Sequence, residues 1–261
     1  MDGSRDRPMI QVEDLHRAFD GQHVLRGVNL TVREGEVLAL IGRSGYGKSV
    51  LLRHVMGLLR PDRGRILIDG MDIHRVGPSQ RKAIKEKFGV LFQGGALFDS
   101  LTVFENVAFP LREKWRLPEP QVRQRVMHEL EQVGLIGSEH KYPAEISGGM
   151  RKRVALARAI IHNPQIVFFD EPTTGLDPVT TRAIHELIAS THRRLNFTAI
   201  IVTHEVPDIF PIVHRVALLH DGRILATGTP ESFMESDHPV VRAFFPDVEG
   251  MRTKLSEEGG G

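Results

Sequence analysis

The sequence predicts an α/β fold: a largely parallel sheet, an antiparallel β segment at the N-terminal end, and an inserted helical segment. Three observations predict it. Residues 37–41 and 166–169 are continuous apolar runs of strand length, as expected of strands buried on both faces. Residues 48–58 and 179–195 carry helical patterns that fall between strand-like runs, the alternation that builds a parallel sheet. Residues 103–161 are mostly helical in pattern, and strand-like runs return only after Pro164.

In chain order, residues 9–15, 28–32 and 65–69 read as strands parted by the turn residues Asp20-Gly21 and Asp62-Arg63-Gly64. The run 37–41 ends in glycine, and the helix after it is expected to stop near Pro61. Residues 88–92 form another short buried strand. In the helical block, Val122, Val126, Leu130 and Val133 make one stripe at helical spacing, a core face, and Pro118, Pro120 and Pro143 punctuate the block. Residues 198–202, 216–220 and 223–226 complete the strands. The expected organisation is one domain over residues 9–245, with a core of about 9–92 and 162–245, a helical subdomain of about 93–161, and a loose tail over 246–261.

Composition bounds the chemistry. The chain has 261 residues, 41% of them hydrophobic, enough for a large core. Lys and Arg number 34 against 33 Asp and Glu, and that balance gives nucleic acid or anionic lipid no electrostatic case as main partner. The absence of cysteine excludes disulfides and thiolate metal sites. No apolar run approaches the roughly 20 residues of a membrane span, and residues 1–8 lack a signal-peptide core. The expectation is a cytosolic protein that serves a membrane, if it serves one, from outside it.

Gly42-Arg43-Ser44-Gly45-Tyr46-Gly47-Lys48-Ser49, followed by Val50, fits the phosphate-loop pattern in its confirming context of a buried strand before and a helix after. The glycines let successive N–H groups surround phosphate oxygens, with the helix N-terminus adding positive charge. Lys48 would reach the β- and γ-phosphates, and the Ser49 hydroxyl would bind Mg²⁺. The strand ending Asp170-Glu171 supplies the matching acids, Asp170 for Mg²⁺ and Glu171 as general base for water.

With these residues the chain resembles the ATP-binding subunits of ABC transporters over nearly its whole length. Ile146-Ser147-Gly148-Gly149-Met150 is similar to the family's signature, with Ile and Met where Leu and Gln are usual, and Ser147 stands 23 residues before Asp170. The resemblance implies a P-loop NTPase core, ATP and Mg²⁺ as cofactors, and a homodimer in which the signature receives the γ-phosphate held by the other subunit. It implies that Gln93 contacts Mg²⁺ or water, that Asp177 lies in a loop against the opposite subunit, and that His204 orients γ-phosphate and water. Phe19 is either the aromatic that stacks on adenine or a core residue. Arg151, Lys152, Arg153 and Arg158 read as a solvated helix face, and the bulky Tyr46 is expected to point outward.

Gly94-Gly95-Ala96-Leu97-Phe98, the stretch 103–113, Ser147-Gly148-Gly149-Met150 and the ending His238-Pro239-Val240-Val241-Arg242-Ala243-Phe244-Phe245 resemble the ATPases of Mla and Mce-associated phospholipid transport. That implies a membrane permease of MlaE type docked near residues 93–104, a lipid-binding MCE-domain protein of MlaD type and a small STAS-type subunit of MlaB type, with the ATPase peripheral on the cytoplasmic face. Two alternatives stand beside it. One is the ATPase of an amino-acid or other small-solute importer, although methionine-type ATPases carry a sizeable C-terminal domain and little here follows Phe245. The other is a non-transport ABC protein, which one cassette without cysteine argues against.

Overall fold

The computed structural model describes residues 7–244, so the expected tail over 246–261 lies outside the described residues. Two long strands open the chain, β1 (Pro8–Phe19) and β2 (Gln22–Arg33), joined by a turn at Asp20 and Gly21. They continue into β3 (Val37–Ile41), α1 (Lys48–Val55), β4 (Arg63–Ile68), β5 (Met71–Asp72), α2 (Pro78–Glu86) and β6 (Phe88–Leu91). The helical stretch holds α3 (Val103–Glu113), α4 (Glu119–Gln132) and α5 (Gly148–Ile160). After it come β7 (Ile166–Asp170), α6 (Pro178–Leu195), β8 (Thr198–Val202), β9 (Arg215–His220), β10 (Arg223–Gly228), α7 (Pro230–Met234) and α8 (Pro239–Arg242).

The strands form two sheets. The antiparallel one runs β2-β1-β4-β5, and the other runs β10-β9-β3-β8-β7-β6, parallel throughout except for β10 against β9. Strands β3 and β8 are buried at every position because helices or the first sheet cover both faces. The sequence boundaries move for local reasons. The first helix ends at Val55, not near 58, since Gly57 turns left-handed, and β4 stops at Ile68 because Asp69 does the same. Helix α2 was not legible; it is short and starts with Pro78 in its first turn.

Three apolar clusters hold this arrangement. One lies between the antiparallel sheet, α1 and one face of the parallel sheet, centred on Leu15, Leu52, Ile66 and Phe168. A second fills the other face, where Leu156 and Ile160 of α5 and Ile184 and Ile188 of α6 meet Phe169 and Ile201. The third is the helices' own, with the predicted stripe of Val122, Val126, Leu130 and Val133 packed on Val107, Leu111 and Val154. Helix α5 thus faces two cores at once. Among the described residues no helix is long and apolar enough to cross a membrane.

Candidate functional site

The phosphate loop bridges β3 and α1. Helix α1 starts on Gly47, whose φ is +93° and which provides no side-chain cap, so its first N–H groups are left for an external acceptor. A Cβ at Gly47 would sit 2.8 Å from Val24 Cγ1, and one at Gly42 would sit 2.4 Å from the Leu219 carbonyl oxygen. Only glycine fits either place. Lys48 is buried, and its ammonium donates to the carbonyls of Gly42 (2.7 Å) and Arg43 (3.1 Å), which arches it back over the loop. Burial lowers its pKa, opposed by the charges of Glu171 and Asp170.

The acids come from the next parallel strand but one. Ser49 Oγ donates to Asp170 Oδ1 at 3.0 Å, so two hard oxygen ligands stand side by side at the end of the loop. Among the described residues no cluster of three or more His, Cys, Asp or Glu could form an all-protein metal cage. An oxygen pair of this kind fits Mg²⁺, which takes few protein ligands and completes its shell with phosphate oxygens and water.

Glu171 takes the left-handed region (φ +50°), a conformation costing a non-glycine residue roughly 1–2 kcal/mol. Its backbone N–H donates to the Val202 carbonyl at 2.9 Å, and its carboxylate is held from three sides. Thr174 Oγ1 donates to Oε2 at 2.9 Å and Gln93 Nε2 to the same oxygen at 3.3 Å. His204 Nδ1 lies 3.4 Å from Oε1. The two residues that the sequence places far from Glu171, Gln93 after β6 and His204 after β8, therefore converge on it.

Ser147, Gly148, Gly149 and Asp177 form a second cluster. Ser147 caps α5 by accepting from the Met150 N–H at 3.2 Å, and Asp177 caps α6 by accepting from the Thr180 N–H (3.0 Å) and hydroxyl (2.6 Å). The two helix starts pack together: a Cβ at Gly149 would lie 2.6 Å from Thr180 Cγ2. Asp177 thus has a structural task of its own, and the Thr180 bonds hold its carboxyl below the usual range.

A sequence profile described as ABC transporter matches residues 25–174, which contain the phosphate loop, Gln93, the signature and both acids. The chain belongs to the ABC transporter family. It is an ATP-binding, ATP-hydrolysing subunit of that family. The chain is 45% identical over 90% of its length to the probable ribonucleotide transport ATP-binding protein mkl of Mycobacterium leprae, of which it spans 68%. It spans 66% of the Mycobacterium bovis counterpart, so it covers about two thirds of these mycobacterial relatives. It is 41% identical to the intermembrane phospholipid transport system ATP-binding protein MlaF of Haemophilus influenzae, over 90% of this chain and 89% of that one. To the methionine import ATP-binding protein MetN of Carboxydothermus hydrogenoformans it is also 41% identical, over 96% of this chain and 74% of that one. The solved cassette MJ0796, a dimer bound to ADP and phosphate, superposes with a TM-score of 0.77 at 30% identity, covering 85% of this chain and 99% of that one.

Two sequence expectations for this ABC ATPase are corrected, and of the two readings of Phe19 one drops out. Phe19 is not core: it is 37% exposed at the end of β1, with the Arg17 guanidinium 4.6 Å from its ring centroid. Tyr46 does not point out freely, for its ring meets the His220 ring edge-on at 5.2 Å and so fastens the loop to the end of β9. The basic residues of α5 are more than a solvated face: Arg151 is exposed, Arg153 and Arg158 are half-buried and Lys152 is buried. Each ends on a backbone carbonyl: Arg151 on Ile146 (2.9 Å), Arg153 on Val133 (3.0 Å), Arg158 on Gly95 and Ala96 (2.7 and 2.9 Å), and Lys152 on Gln93.

Sequence reasoning missed Asn106. It is fully buried in α3, accepts from the Phe98 N–H and donates to the carbonyls of Phe98, Leu101 and Thr102, fixing the loop that follows Gln93. Its signal was an amide standing on an otherwise apolar helix face.

Proposed function

We propose that this chain powers phospholipid transport between membranes, as a homodimer bound to a permease on the cytoplasmic face of a membrane. The observation that supports this most is the likeness to MlaF, which runs through almost the full length of both chains. In this reading residues 42–50 hold the ATP phosphates, Lys48 neutralises the β- and γ-phosphates, and Ser49, Asp170 and Gln93 hold Mg²⁺. Bound Mg²⁺ supplies charge neutralisation at the phosphates. Glu171 takes the proton from water, and His204 orients water and γ-phosphate. Phe19 offers its exposed face to adenine, while Ser147, Gly148, Gly149 and Asp177 serve the nucleotide of the partner subunit. The division into a core of about 9–92 and 162–245 and a helical subdomain of about 93–161 belongs to the same reading.

Exposed Phe92, Phe98 and Phe109 give the permease an apolar place to dock beside Gln93, with the Phe98 and Phe109 rings 4.7 Å apart. An MCE-domain protein and a STAS-type subunit complete the proposed assembly. The likeness to MetN favours a second reading, the ATPase of a small-solute importer. Purification of the tagged chain from its native membranes, with mass spectrometry of proteins and lipids, separates the two. The first reading expects a permease, an MCE-domain protein and phospholipid; a solute permease with a binding protein would replace it by the second.

A further inference from the structure

Helix α5 begins at the signature and, one turn later, carries a lysine on its inner side. Lys152 is 7% exposed, and its ammonium donates to the backbone carbonyl of Gln93. The side chain of that same Gln93 donates to Glu171. Burying an ammonium is costly unless it is well paired, and the charges of Glu171 and Glu205 both favour it where it lies. An apolar side chain would fill the position with less desolvation, so what accounts for a cation here is what it holds. Farther along α5, Arg158 grips the Gly95 and Ala96 carbonyls, and the first part of the loop after β6 is thereby slung from this helix.

We propose that Lys152 is a positioning residue for hydrolysis: it fixes the Gln93 backbone so that the Gln93 amide stays on the Glu171 carboxylate, tying the start of α5 to the water-activating acid. The inference rests on the reading of Glu171 as the base. A displacement of the α5 N-terminus moves Lys152, then the Gln93 carbonyl, then the amide that orients the carboxylate. The phosphate loop itself lies outside this chain of contacts, so Lys152 acts on turnover rather than on the affinity for nucleotide without Mg²⁺.

The test is steady-state ATP hydrolysis by the full chain, with affinity measured separately using a fluorescent ATP analogue without Mg²⁺. Lys152→Ala is expected to lower kcat about tenfold with affinity changed less than about twofold. Lys152→Arg should recover most of the rate, and Lys152→Met, which keeps the bulk, should not. In a Gln93→Ala background the further change to Lys152→Ala should cost little, because the route is already cut. An unchanged kcat in Lys152→Ala and Lys152→Met overturns the proposal, as does a full loss in the Gln93→Ala background. So does an equal loss in Arg153→Ala, which cuts a like contact to Val133 on the same helix. Failure of the underlying reading looks different: Glu171→Gln would then turn over at the wild-type rate.

Discussion

The sheets around the phosphate loop and the helices between residues 103 and 161 are fixed by different forces. The strands within each sheet are joined by backbone ladders, and apolar clusters whose large side chains are fully buried, Phe168 and Phe169 among them, pack against the sheets. The helices have an apolar cluster of their own and enter the sheet's second cluster only through α5; their polar ties to the rest are single contacts, Lys152 to Gln93, Arg158 to Gly95 and Ala96, Arg194 to Glu129 at 2.6 Å, and His162 to Phe88 at 3.1 Å. A ladder cannot slip by less than two residues without turning its side chains to the wrong face. A cation on a carbonyl constrains one point only, and a displacement of the helix passes to the carbonyl it holds. The sheets carry the phosphate loop and acids and the helices carry the signature, so in the proposed division into core and helical subdomain a relative motion would shift the signature while the loop keeps its shape.

The largest effect separates chemistry from that motion. Glu171→Gln should cut turnover by about 10²–10⁴-fold, the usual contribution of a general base, while ATP still binds and a closed dimer accumulates. Rate measurement with sizing in ATP checks it. Wild-type turnover would remove Glu171 from the role and leave its three partners without a chemical reason.

The next effect probes the junction through pH. His162 stacks on Trp115 of the α3–α4 connection (centroids 4.6 Å apart) and bonds to the Phe88 carbonyl of β6, and burial, with help from Lys114, lowers its pKa to about 4. Its neutral form is the folded one. Above the unfolded value near 6.5 this group's stabilisation is complete; as pH falls toward 4 the unfolded chain takes up a proton that the folded chain refuses, and stability is lost. At most about 3 kcal/mol disappears over that window. His162→Phe keeps the stacking and removes the titration, so denaturant unfolding from pH 7 to pH 4 should show a shallower fall than wild type. His54, His74, His185 and His192, also lowered by burial, remain in the variant and leave the difference to His162. Equal slopes would mean that acid does not act through this contact.

The contrast between the halves also explains what was legible in the sequence. Strand runs such as Val37–Ile41 and the phosphate loop announce themselves because consecutive residues make the structure. Gln93 and His204 were legible only through resemblance, since nothing local says that two residues so far apart meet on Glu171. The basic residues of α5 misled for a physical reason. A lysine or arginine in a helix reads as solvated, and only the fold shows a carbonyl within reach of each one. Tyr46 and Asn106 belong to the same class, their partners being set by tertiary contact.

The smallest effect tests whether the two helix starts are separate devices. Helix α1 begins on an uncapped glycine and α5 on a serine whose hydroxyl already accepts from Met150. Ser147→Ala removes that cap and should cost about 1 kcal/mol of stability, read as a small shift in denaturant midpoint. Affinity of the monomeric chain for nucleotide should stay as it was, because the α5 start packs on the α6 start through Gly149 and Thr180 and the chain's own phosphate loop is built from β3 and α1. A marked loss of affinity in the monomer would join the two clusters within one subunit, and the sheet side could then no longer be treated as holding its nucleotide alone.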